Sequence, residues 1–119
     1  MLRRHVVVVG PGPIWPAGLP GLLYARAKED VPAHRIPRRM QTGRSAKQNA
    51  FDEQFAKLVT RPGVSYVSML RILCDESGCL TRTRDDASSI MFYDIYHMTS
   101  EGSKYAVAHF PEDALPRTH

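Results

Sequence analysis

Four consecutive valines, Val6–Val9, run directly into Gly10-Pro11-Gly12-Pro13. Branching at every Cβ without polar alternation favours a strand covered on both faces, the kind found inside a parallel sheet. The segment 10–21, GPGPIWPAGLPG, is two-thirds Gly and Pro, so an irregular loop must follow the strand's C-terminal end. Ligands of open α/β sheets sit at that end. Trp15 in this loop either walls a pocket or packs the loop down.

Helical spacing returns at Leu19, Leu22, Leu23 and Ala27, predicting a short helix over about 19–28. A second, clearer amphipathic pattern runs from Ser45 to Leu58, with Ala46, Ala50, Phe51, Phe55 and Leu58 on one side, and Arg61-Pro62-Gly63 ends it. The next strand is expected over Val64–Leu70. Strand, helix, strand favours a parallel pair with a right-handed crossover. Residues 74–88 read as a polar loop. The approach Ile90–Tyr93 leads into Asp94, and a last helix starts at Thr99 or Ser100, either of which can cap it, with Glu101 in its first turn.

The 119 residues, 43% hydrophobic and 24% charged, suit one small globular domain with a modest core. The formal charge of +4 has a local excess between Arg35 and Arg44, including Arg38 and Arg39. No helix-turn-helix, zinc-finger spacing or aromatic-rich strand accompanies it, so a solvated basic loop is favoured and no nucleic-acid partner is expected. The first residues set positive charge before an apolar run, but four valines are too short for a signal core or membrane span, and no export signal is expected in the chain as given. Two cysteines occur, Cys74 and Cys79, in CDESGC. Metal ligation needs further ligands at matching spacing, and no second pair follows, so a local disulfide is favoured over two free buried thiols. Gly78 relaxes the backbone between them. A bridge would imply an oxidising compartment. A mixed metal site of Cys74, Cys79, Asp94 and His97 is the weaker alternative.

Asp94-Ile95-Tyr96-His97 carries the chemistry. Histidine is the usual general base near neutral pH, and a carboxylate holding one ring nitrogen protonated leaves the other free to accept a proton. Three residues apart in a turn, the two side chains come within hydrogen-bond reach. Chains of this composition yield the bare pair by chance fairly often, so context matters: IMFY precedes it and TSEGSKYAVAHF follows. Tyr93 and Tyr96 flank the pair and are expected to pack; His5, His34, His109 and His119 are expected at the surface or in packing.

YDIYHMTSEGSKYAV resembles the last block of SGNH hydrolases, VVVVGPGPIWPAGLP resembles the fourth strand and loop of SGNH domains fused to family-three membrane acyltransferases, and the Cys74 and Cys79 pair is similar to a paired-cysteine feature of that group. The resemblance implies a three-layer α/β/α, flavodoxin-like fold, with His97 as general base and Asp94 as its orienting carboxylate, and no cofactor. The family's Gly-Asp-Ser nucleophile block is nowhere in the chain, nor can its glycine and oxyanion-hole blocks be placed; Thr42-Gly43-Arg44-Ser45 opens a helix and is no substitute. Residues 1–110 are thus expected to form the C-terminal half of an SGNH domain, lacking its N-terminal strands, with 111–119 as a tail. The complete protein would move acyl groups, acetyl above all, onto cell-envelope polysaccharide at the periplasmic side of the inner membrane. Its partners would be the missing SGNH segment or the membrane domain, an acyl donor and the polysaccharide acceptor. Alone, the chain is expected to be inactive and to self-associate through its exposed strand edge. A binding module using the basic loop is the alternative.

Overall fold

The computed structural model of the chain describes residues 5–28 and 37–114. Its first strand, β1 (Val6–Val9), lies parallel to β3 (Val64–Val67), in register from Val6 against Val64 to Val9 against Val67. Between them come helix α1 (Leu19–Lys28), a short strand β2 (Arg39–Met40) and helix α2 (Ala46–Leu58). The Ser45 hydroxyl accepts the Gln48 N–H at 3.3 Å and so caps α2. The strand expected to reach Leu70 stops at Val67, because Ser68 does the same for Arg71 N–H and opens a one-turn helix, α3 (Met69–Leu73). Asp52 ties α2 to β3 and to the start of α3, accepting hydrogen bonds from Tyr66 and, at 2.6 Å, from Ser68.

The segment 74–88, read from sequence as loop, contains a hairpin. Strands β4 (Cys74–Asp75) and β5 (Gly78–Leu80) pair antiparallel, and β2 adds to the other edge of β5. Cys74 and Cys79 face each other across the hairpin and form a disulfide. Gly78 sits at φ +118° with the Met40 backbone where a Cβ would be, so this turn admits only glycine. Arg39 donates to the carbonyls of Leu73 (3.1 Å) and Gly78 (3.3 Å) and pairs with Asp75 at 3.3 Å. Closing so short a loop constrains the unfolded chain, and replacing both cysteines by alanine is expected to lower stability by about 2 kcal/mol. Urea unfolding of oxidised and doubly substituted protein measures this.

The core lies between this hairpin, α3, the loop after β1 and the last helix, α4 (Ser100–Ala108). Trp15, Leu19, Leu73, Cys79 and Met91 are fully buried in it, joined by Leu80, Phe92 and Ala106. Trp15 therefore packs its loop down and does not wall a pocket. The expectation of a doubly covered β1 is corrected: Val6 and Val9 are 51% and 48% exposed. Among the described residues only β3 pairs with β1 and no layer covers these side chains. The apolar side of α2 is likewise open, with Phe51, Phe55 and Leu58 exposed and no residue of the helix buried. No helix of the described residues is long and apolar enough to cross a membrane.

Candidate active site

An antiparallel bridge between Phe92 and Met98 brings the ends of the 92–98 segment together, and Tyr93 N–H donates to the His97 carbonyl at 3.1 Å. Within this closed loop Asp94 organises the backbone. Its Oδ1 accepts the N–H groups of Tyr96 (2.9 Å) and His97 (2.7 Å), an Asx-type turn. Its Oδ2 meets Nδ1 of His97 at 2.6 Å. An ionised carboxylate only accepts, so Nδ1 carries the proton and Nε2 is left as the basic nitrogen. Nε2 has no hydrogen-bond partner among the described residues, and the imidazole is about half exposed.

Two anchors hold the loop. From the segment after β1, Trp15 N–H donates to the Ile95 carbonyl at 2.7 Å and Leu19 N–H to the Asp94 carbonyl at 3.3 Å. Gly18, at φ +86°, lies buried against the Asp94 backbone. From the other side, the Thr99 hydroxyl donates to the Ile90 carbonyl (2.5 Å) and accepts the Gly102 N–H (3.0 Å), capping α4. Gly102 packs on the Met91 carbonyl so closely that a Cβ would collide with it. The loop after a parallel strand and the capped start of a helix thus fix the pair at the strand's C-terminal end.

The Asp94 carboxyl is held below the usual carboxylate range, chiefly by the His97 backbone N–H; desolvation opposes this, and the His97 ring and Tyr96 N–H add to it. A carboxylate with a lowered folded pKa stabilises the fold above its unfolded value of about 3.9 and loses that contribution as pH falls through the folded value. The acidic titration step of the Asp94 carboxyl carbon resonance is therefore expected below the ordinary aspartate value of about 3.9. An NMR pH titration checks this.

Other sequence candidates fall elsewhere. His5 bonds Ser65 at 2.9 Å, His109 stacks on Tyr105 near the end of α4, and His34 and His119 lie outside the described residues. The mixed metal reading is corrected, because the disulfide removes both cysteine thiolates as ligands. Arg35 lies outside the described residues; Arg38 pairs with Asp85 at 3.4 Å, Arg39 serves the hairpin and Arg44 donates to the Asp75 carbonyl. The expectation that Tyr93 and Tyr96 pack is also corrected. They are 59% and 62% exposed, with ring centroids 5.7 and 4.4 Å from that of His97. Met91 and Phe92 just before them are both buried, so no alternation sets the tyrosines apart, and their polar phenol tips were the available signal.

The search of curated proteins found no match. Among solved structures, the chain is similar to the periplasmic domain of a lipopolysaccharide acetyltransferase from Salmonella ser. Paratyphi A, with 30% identity and a TM-score of 0.74 over 87% of this chain. It spans 39% of that structure's chain. The mixed α/β architecture is thus of the SGNH type. The family model described as "SGNH domain (fused to AT3 domains)" matches residues 1–112. Nearly the whole chain is covered by that match, and the chain belongs to the family of SGNH domains fused to AT3 domains.

Proposed function

We propose that this chain supplies the general base, His97, and its orienting carboxylate, Asp94, to a serine-dependent acyltransferase or esterase site. The observation that carries the reading is the 2.6 Å contact from Nδ1 to Asp94 with Nε2 left open. A serine from an N-terminal SGNH segment would lose its proton to Nε2 as its oxygen attacks the acyl donor's carbonyl. The resulting imidazolium, stabilised by Asp94, returns the proton to the leaving group. In the second half-reaction Nε2 takes the proton of an acceptor hydroxyl, or of water, whose oxygen attacks the acyl-serine; the serine ester bond then breaks and the imidazolium returns the proton to the serine oxygen.

The relative is a lipopolysaccharide acetyltransferase periplasmic domain, which supports acetyl transfer to a cell-envelope polysaccharide on the periplasmic side of the inner membrane, with the AT3 membrane domain as partner. The disulfide fits an oxidising compartment. The exposed edge of β1 and the open face of α2 are surfaces that the N-terminal half of such a domain would cover; left uncovered, they favour self-association. The alternative, an interaction module using the basic loop, needs free arginines, whereas Arg38, Arg39 and Arg44 are engaged within the fold.

Without the serine and oxyanion donors the covalent step and most charge stabilisation are missing. The chain alone is expected to leave a chromogenic acetyl ester at its buffer rate. Robust turnover that disappears in His97→Ala would overturn the incomplete-site reading.

A further inference from the structure

Tyr93 and Tyr96 expose most of their rings beside the one basic nitrogen the proposed reaction needs. Resting on that reading, we propose that they form an aromatic shelf that seats a neutral pyranose ring of the acyl acceptor next to Nε2 of His97.

Three observations support the shelf. Its rings stand on ordered backbone: Tyr93 N–H is bonded to the His97 carbonyl, Tyr96 N–H to Asp94 Oδ1, and Ile95 between them is held by Trp15 N–H. A surface already in its binding conformation loses little entropy when a ligand lands, and tyrosine, with few rotatable bonds, suits that role. Next, each ring is amphipathic. The C–H face of a pyranose can lie on the ring while its hydroxyls meet the phenol, and neither phenol has a hydrogen-bond partner among the described residues. Finally, the charge beside the shelf is the Asp94 carboxylate, kept ionised by the N–H groups around it. A uronic acid or sugar phosphate would meet repulsion there, which favours an uncharged sugar. The two rings turn their inner faces to the imidazole, with centroids 4.4 and 5.7 Å away and interplanar angles of 39° and 11°, so the sugar would rest on their outer faces and rims with its hydroxyls reaching over to Nε2.

The test uses the chain itself, with methyl α-D-glucopyranoside and methyl α-D-mannopyranoside as neutral probes and glucuronate as the charged control, followed by NMR of the tyrosine and His97 ring protons. Expected are saturable shifts at Tyr93, Tyr96 and His97 with a neutral glycoside and much weaker ones with glucuronate. Tyr96→Ala and Tyr93→Ala should each weaken binding about tenfold, while the phenylalanine variants, which keep the stacking face, retain most of it. Unchanged Trp15 fluorescence shows that the alanine variants remain folded. Absence of saturable shifts, or binding indifferent to both alanine variants, overturns the shelf. Because the readout is binding, it fails or succeeds independently of catalysis by the pair, which the ester assay of a completed domain tests separately.

Discussion

In a domain completed with a serine-bearing SGNH segment, Asp94→Asn is expected to cut acetyl-ester turnover by roughly 10⁴-fold while leaving the loop folded. The size of the effect follows from which atoms change. Oδ1 organises the turn by accepting two N–H groups, and the amide carbonyl of the substituted side chain can go on accepting them. Oδ2 is the atom that fixes the tautomer. Replaced by NH₂, it becomes a donor facing Nδ1, so the imidazole must place its proton on Nε2, and the base then points a proton at the serine it should deprotonate. His97→Ala removes the base outright and should cost at least as much. Kinetics of both variants beside a circular dichroism comparison would decide it. Wild-type turnover in Asp94→Asn would mean that the 2.6 Å contact is structural and that the base lies elsewhere.

The contact between Asp94 and His97 was legible in the sequence because its geometry is local. Three residues of spacing and a tight turn suffice to join carboxylate and imidazole, and no distant contact has to be known. The same holds for the cap of the last helix, where the choice between Thr99 and Ser100 falls to Thr99; Ser45, read as the start of its helix, is the cap that precedes it. The parallel pairing of β1 with β3 followed from order and composition.

What the sequence hid depends on contacts at long separation. Trp15 lies 80 residues from Ile95, yet its N–H holds that carbonyl, and no pattern around residue 15 names its partner. The hairpin at 74–80 is two and three residues per strand, too short for a period-two signal, and is fixed by a disulfide and by β2 arriving from residue 39. Burial misled most where hydrophobicity was strongest. Val6, Val9, Phe51 and Phe55 have the residue types of covered faces, and their exposure fits a segment that spans 39% of the chain it resembles.

Trp15→Ala is expected to be the most damaging single change to stability, costing about 3–5 kcal/mol. That is a large share of the roughly 5–15 kcal/mol that keeps a domain folded. The upper end applies because the cavity cannot collapse easily. The indole packs so closely on Gly43 that a Cβ there would come within 2.7 Å of the ring, and Cys79, pinned by its disulfide, borders the same space. Phe92 on the remaining side sits 6.2 Å away, centroid to centroid, and is itself the first residue of the bridge that closes the Asp94–His97 loop. Trp15→Phe should cost far less than alanine, for two reasons. It keeps an aromatic partner for Phe92, and it removes an indole N–H that is buried without a hydrogen-bond partner among the described residues, a group whose desolvation opposes folding. Urea unfolding of the two variants measures the difference. The backbone N–H that holds Ile95 survives both substitutions, so any drift of the His97 ring resonances in Trp15→Ala would arise through packing alone. Such drift, absent in Trp15→Phe, would identify the buried ring as the support on which the Asp94–His97 contact rests.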